Sequence, residues 1–155
     1  MAGEPERLAE ELMLAVTDLQ NVTDEVDQAV SERLGLNRTD ARCLAYLVAR
    51  GPLSAGDLAA LAGLAPSALT FAVDRLVKAG YAERARDDAD RRRVVVKAAE
   101  RTHRIAAELW GETVEETERQ LAEYSPGQLR LLLGFVRDQV DLQRRQVAVL
   151  RDRPE

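Results

Sequence analysis

Residues 54–97 read SAGDLAALAGLAPSALTFAVDRLVKAGYAERARDDADRRRVVVK. Ser54 stands as an N-cap, and Asp57, three positions on, is a shorter analogue of the glutamate of a capping box. The short helix that they open ends near Gly63. Pro66 suits the first turn of the next helix, where a missing N–H costs nothing, and Leu69, Ala72, Val73 and Leu76 form its inner stripe before Gly80 stops it. Tyr81–Arg86 and Arg93–Lys97 then flank Asp87-Asp88-Ala89-Asp90, and Val94-Val95-Val96 is the most β-prone run in the chain. Two helices joined by a turn and followed by a hairpin with a charged tip make a winged helix-turn-helix.

Outward from this stretch the chain is helical on both sides. Leu8, Leu12, Val16, Leu19, Val22, Val26, Val30 and Leu34 recur three or four apart, so Glu6 to Leu34 reads as one long amphipathic helix ended by Gly35. Asn37 is the N-cap of a second helix, with Asp40 at N3 near the free N–H groups, running through Ala41, Leu44, Leu47 and Val48 to Gly51. Pro52 and Leu53 fit a short extended link. Beyond the hairpin, about Ala99 to Glu123 is a helix with an imperfect stripe of Ile105, Leu109, Val114 and Leu121. Ser125-Pro126-Gly127-Gln128 opens the last helix with an N-cap, a Pro at N1 and a polar N3. Leu129, Leu132, Leu133, Val136 and Val140, then Val147 and Leu150, are its apolar positions. The expected architecture is mainly α, an α+β winged helix with six helices and a small β-hairpin wing. A stripe as long as that of the first helix can be buried only against other helices, in the same subunit or in a partner. Residues 36–98 hold the winged helix-turn-helix, with helical segments 1–35 and 99–155 on either side.

Composition limits the function. The chain has 155 residues, 46% hydrophobic and 32% charged, with aromatics at 4%, as in a helical globular protein whose core is mainly Leu, Val and Ala. No apolar run approaches the ~18 residues of a membrane span, and the acidic N-terminus has no signal-peptide pattern, so a cytoplasmic location is expected. One Cys rules out an intrachain disulfide, and one His leaves too few ligands for a dedicated zinc site. There is no Ser-His-Asp set, phosphate loop or metal-ligand cluster, so the expectation is a non-enzyme without a cofactor.

Net charge is −5, which opposes binding to a polyanion, but its distribution is uneven. Leu64 to Lys97 holds eight basic residues against five acidic ones, a local +3 that leaves −8 elsewhere. Residues 1–35 hold nine acids and two arginines. A helix for the major groove beside an arginine-tipped hairpin in a locally basic segment predicts binding to double-stranded DNA.

With these motifs placed, the chain resembles the MarR family of bacterial transcriptional regulators over nearly its whole length. DLAALAGLAPSALTFAVDRLVKAGYAER is similar to the family's helix-turn-helix, DDADRRRVVV to its wing, and SPGQLRLLLGFV to the opening of its final dimerisation helix. The resemblance implies an intertwined helical homodimer, with residues 1–35 and 99–155 as its dimerisation region, and the long stripes of the first and last helices agree with it. It would present two recognition helices to a pseudo-palindromic operator, with half-sites about 10 bp apart. It also implies a repressor released by a small, often aromatic or phenolic, effector. Three departures from the family's pattern stand out: Ala65 replaces the usual Ser or Thr cap, Phe71 stands where a basic or polar DNA-facing residue is common, and Ala98-Ala99-Glu100 replaces the usual Leu-Thr-Glu after the wing, removing the hydroxyl cap of the fifth helix.

The expected DNA contacts are Pro66, Ser67, Ala68, Thr70, Phe71 and Arg75 on the recognition helix, and Arg86, Asp90, Arg91 and Arg92 at the wing. Ser67 and Thr70 are the candidates for base-edge or phosphate hydrogen bonds. Arg75 has two roles open to it, a phosphate contact or an ion pair with Asp74. Phe71 either meets a thymine methyl or is buried. Asp90 would orient an arginine while Arg91 and Arg92 enter the minor groove or bind phosphates, for which the planar, always-charged guanidinium is suited; a merely solvated tip is the alternative. Cys43 reads as a buried small hydrophobe and His103 as exposed. Tyr46 and Trp110 either line an effector pocket or pack ordinarily. A competing function is a winged-helix protein-interaction module or antagonist that has lost specific DNA binding, consistent with the acidic charge, Ala65 and Phe71.

Overall fold

The computed structural model describes residues 3–152, which form six helices and three strands. The ends of the expected dimerisation segments, residues 1–2 and 153–155, lie outside the described residues. The chain divides into two compact units, Met1–Ala106 and Ala107–Glu155.

In the first unit, α1 (Glu4–Leu34) is the long helix predicted from its stripe. It stops where Gly35 turns left-handed at φ 65°, allowing the Leu36 N–H to reach back to the Ser31 carbonyl at 2.9 Å. α2 (Arg38–Arg50) starts on Asn37, whose side-chain oxygen accepts from the Asp40 N–H at 2.9 Å while its amide nitrogen donates to the Asp40 carboxylate at 2.9 Å. α3 (Ala55–Ala62) starts on Ser54, whose hydroxyl accepts from the Asp57 N–H at 3.1 Å and donates to the Asp57 carboxylate at 2.6 Å. The aspartate is thus long enough to close the cap that the sequence pattern implied. α4 (Pro66–Lys78) follows, with Pro at N1 and no side-chain cap at Ala65.

The sheet contains one strand more than the hairpin expected from the sequence. Leu53, read as part of a link, and Ser54, read as an N-cap, form β1, which pairs antiparallel with β3 (Val94–Ala98) in the register Leu53↔Val96 and Ser54↔Val95. β2 (Ala82–Arg86) pairs with the other edge of β3, giving the order β1-β3-β2. Tyr81 precedes β2, and Arg93 stays in the loop ahead of β3. Gly80 makes the sharp exit from α4 at φ 74°, a conformation that a side chain would strain.

One core unites these elements. Cys43, Leu44 and Leu47 of α2 meet Leu58, Ala59 and Ala62 of α3 and Leu69, Ala72, Val73 and Leu76 of α4, with Val96 and Ala98 of β3 closing the far side. The inner stripe anticipated for α4 is buried in full, so its opposite face is fixed outward by packing. Tyr81 is a second node: its hydroxyl donates to the Leu34 carbonyl at 3.0 Å, and its own carbonyl accepts from the buried Thr102 hydroxyl at 2.6 Å. Arg101 lies 4.7 Å from the Tyr81 ring centroid and donates to the Ala79 carbonyl at 3.3 Å. Ala99 lacks the hydroxyl that would cap α5 (Glu100–Ala122), and the Thr102 and His103 N–H groups turn instead to its carbonyl.

The second unit holds most of α5 and α6 (Pro126–Asp152). α6 opens with a reciprocal capping box, Ser125 N–H to Gln128 Oε1 at 2.8 Å and Gln128 N–H to Ser125 Oγ at 3.3 Å. Its Leu132, Leu133, Val136, Val140 and Val147 are exposed, as are Leu8, Leu12, Leu19 and Val22 of α1 in the first unit. No single helix among the described residues is long and apolar enough to cross a membrane.

Candidate nucleic-acid interface

Burial of Leu69, Ala72, Val73 and Leu76 leaves Pro66, Ser67, Ala68, Thr70, Phe71, Asp74, Arg75 and Lys78 exposed on α4. Every recognition-helix candidate from the sequence is therefore on the accessible side. Phe71 is 64% exposed, which decides the alternative left open for it: the ring is outside the core. At 100° per residue, Ser67, Phe71, Asp74 and Lys78 run down the middle of the outer face. Thr70 spends its hydroxyl proton on the Pro66 carbonyl at 3.0 Å, and its oxygen remains an acceptor.

Arg75 does not form the ion pair with Asp74 that its spacing offered. It grips Asp40 of α2 instead of Asp74, with Nε to Oδ2 at 2.7 Å and Nη2 to Oδ1 at 2.6 Å. The Asp40 hydrogen bonds, more than anything else, raise the Arg75 guanidinium above its ordinary value. Asp40 is only 3% exposed and already serves the α2 cap, so this bidentate pair joins the end of the recognition helix to the head of α2. Asp74 turns to Arg84 of β2 at 2.6 Å and ties the same helix to the wing. Neither pair was legible from sequence spacing, because the partners sit on different elements.

The wing is ordered by its own acids. Asp87 accepts from the Ala89 N–H at 2.8 Å, and Asp90 accepts from both the Arg92 N–H at 3.1 Å and the Arg92 Nε at 3.2 Å. Asp90 therefore holds Arg92, whose side chain is nevertheless 92% exposed. Arg86 lies along the same loop, donating to the Arg92 carbonyl at 3.5 Å. Lys97 pairs with Glu83 across the β2–β3 ladder at 3.3 Å. With Arg75, Arg84, Arg92 and Lys97 each facing a carboxylate, the cations of this segment without one among the described residues are Lys78, Arg86, Arg91 and Arg93. Arg91 and Arg93 are both exposed at the wing tip.

Away from this face, Cys43 is fully buried, and burial is the main cause of its thiol being raised above the ordinary value. Asp40 pushes it the same way, against Arg42 and Arg75. His103 is exposed. Tyr46 is partly buried against the core of the first unit; Trp110, in the second unit, is half-buried. No group of three or more His, Cys, Asp or Glu side chains among the described residues is placed to hold a metal ion.

A helix-turn-helix whose second helix presents one full face outward, braced to a three-stranded wing with arginines at its tip, defines the winged-helix class of DNA-binding fold. Residues 34–93 match the model of the MarR family. The HTH-type transcriptional regulator YcgE of Bacillus subtilis (strain 168) is 36% identical over 115 residues, or 74% of this chain and 75% of YcgE. The chain belongs to the MarR family of transcriptional regulators. Among solved structures, a MarR family regulator from Silicibacter pomeroyi is similar over 91% of this chain and 95% of its own, with 25% identity and a TM-score of 0.61. NadR in complex with 4-hydroxyphenylacetate shares the fold over 91% of this chain and 92% of its own, with 23% identity and a TM-score of 0.53.

Proposed function

We propose that this protein is a homodimeric, sequence-specific DNA-binding repressor, released from a pseudo-palindromic operator by a small aromatic or phenolic effector. The observation that carries the DNA-binding part is the outward face of α4 lying beside a wing whose Arg91 and Arg93 have no carboxylate partner among the described residues. Pro66, Ser67, Ala68, Thr70 and Phe71 enter the major groove, while Arg86, Arg91 and Arg92 serve the adjoining minor groove or its phosphates. Asp90 acts through Arg92 as a positioning residue. Arg75 braces the recognition helix through Nε and Nη2 on Asp40, and its Nη1 is the nitrogen left for a phosphate.

Residues 1–35 and 99–155 are assigned to the dimer, and 36–98 to the winged helix-turn-helix. Exposed apolar side chains on α1 and α6 support this, because stripes of that length left in water invite association. The effector assignment draws on NadR, a protein of the same fold that binds a phenolic acid. Tyr46 of the first unit and Trp110 of the second are each put forward separately as an aromatic contact for an effector. An effector that binds one arrangement of the dimer better than the other shifts the recognition helices off the operator spacing.

Selection of bound sequences from a random DNA pool, followed by a salt titration on the winner, tests the function. A two-fold symmetric sequence with half-sites about 10 bp apart is expected, with a log–log salt slope near −0.9 per neutralised phosphate. Recovery of no preferred sequence and a flat slope would favour the interaction-module reading, to which the solvent-facing Phe71 and the net charge of −5 lend what support it has.

A further inference from the structure

The outer face of α4 is unusual in what it lacks. A guanine is normally read in the major groove by an arginine or lysine on its O6 and N7, and an adenine by the two-pronged amide of asparagine or glutamine. Between Pro66 and Phe71, the two turns that reach base edges, the exposed side chains are proline, serine, alanine, threonine and phenylalanine. The arginine on the next turn, Arg75, is turned onto Asp40 through its Nε and Nη2, and the carboxylate there, Asp74, is closed on Arg84. Thr70 has committed its proton to Pro66 and can only accept. Lys78, also on this face, lies at the far end of the helix, about 10 Å along the axis from Phe71. What remains on the first two turns is a phenyl ring, 64% exposed, flanked by the hydroxyl of Ser67 and the methyl of Ala68.

We propose that the half-site is read mainly through thymine C5-methyl groups, with Phe71 as the residue that sets specificity and no guanine contact from the recognition helix. This rests on the DNA-binding reading above. The chemistry is complementary: the thymine methyl is the one apolar group that a base pair offers in the major groove, and an exposed phenyl ring gains by covering it. Ser67 can add a single hydrogen bond, and one bond of that kind is tolerant of base identity. Specificity then follows apolar surface, so the central base pairs of each half-site carry thymines, and any guanines there go unread by α4.

Three measurements on the selected operator test this. Replacing thymine by deoxyuridine, position by position, deletes the methyl and leaves base pairing intact. At one or two positions per half-site the affinity falls about fourfold, the effect of losing one buried methyl group. In Phe71→Ala, whose side chain is removed from an exposed site so that folding is preserved, binding falls at least about tenfold and the same deoxyuridine changes have no further effect. Replacing guanine by 7-deazaguanine under α4 leaves affinity unchanged. The inference is overturned if deoxyuridine is without effect throughout, if 7-deazaguanine weakens binding more than the methyl deletions, or if Phe71→Ala stays sensitive to the missing methyl. Specific binding with a normal salt slope in any of those cases leaves the DNA-binding reading standing. Absence of specific binding removes both.

Discussion

Arg75 closes the Nε and Nη2 of its guanidinium on Asp40, thirty-five residues earlier, and thereby fastens the last turn of α4 to the first turn of α2. The carboxylate is 3% exposed and the guanidinium side chain 51%, so the two partners are unequal: losing the arginine strands a buried charge, while losing the aspartate frees an arginine that water can solvate.

That asymmetry predicts an order of effects. Asp40→Ala lowers the stability of the fold by about 1–3 kcal/mol as its hydrogen bonds disappear, and Arg75→Met lowers the melting temperature further still. The double variant is less damaging than the two single effects added together, because the pair acts as a unit. Thermal melts followed by circular dichroism give all three values, and an equal effect of the two single variants would contradict the difference in burial.

At the wing, Arg91→Ala reduces the steepness of the log–log salt dependence by about 0.9 for each phosphate that the arginine neutralises. Arg93→Ala, from the same exposed tip, behaves alike if it too meets the backbone. Lys97→Ala serves as the control, since its ammonium faces Glu83 on the ladder and contributes little to the field outside. Fluorescence anisotropy at a series of salt concentrations measures the slopes.

Burial of Cys43 gives a pH signature. The unfolded thiol ionises around its ordinary value of 9.0, and the folded one only above it. Above that ordinary value the unfolded chain sheds a proton that the native protein retains, so stability declines as pH rises further. Cys43→Ala removes this alkaline component and leaves the pH dependence around neutrality parallel to that of the parent. At neutral pH, alkylation of the native thiol by iodoacetamide is slower than in urea by about 10³-fold or more, the scale of the unfolding equilibrium.

The exposed apolar residues of α6 predict the state of assembly. Leu133 and Val140 are seven positions apart and share one side of the helix. Leu133→Glu combined with Val140→Glu yields a folded monomer by sedimentation, where the parent sediments as a dimer, and operator affinity falls with the loss of the second half-site. A dimeric double variant would move the interface elsewhere.

Much of this was legible in the chain because local rules and tertiary packing agree. Asn37, Ser54 and the Ser125–Gln128 box each cap the helix that their spacing predicts, and the 3.6-residue stripe of α4 enters the core without exception. β1 was not legible, since two residues carry no period and become a strand only when Val95 and Val96 arrive beside them. The partner of Arg75 was hidden for a similar reason: a neighbouring Asp74 offers the nearer carboxylate, and only the packing of α4 on α2 brings Asp40 within reach. The exposure of Phe71 depended on the depth of the core beneath it, which periodicity alone does not measure.

Tyr81 has a mechanical consequence. One side chain is bolted to the end of α1 by its hydroxyl and covered by Arg101 of α5, while its own backbone opens β2. The end of α1, the start of α5 and the root of the wing therefore share one residue, so a side chain lost there unfastens all three at once.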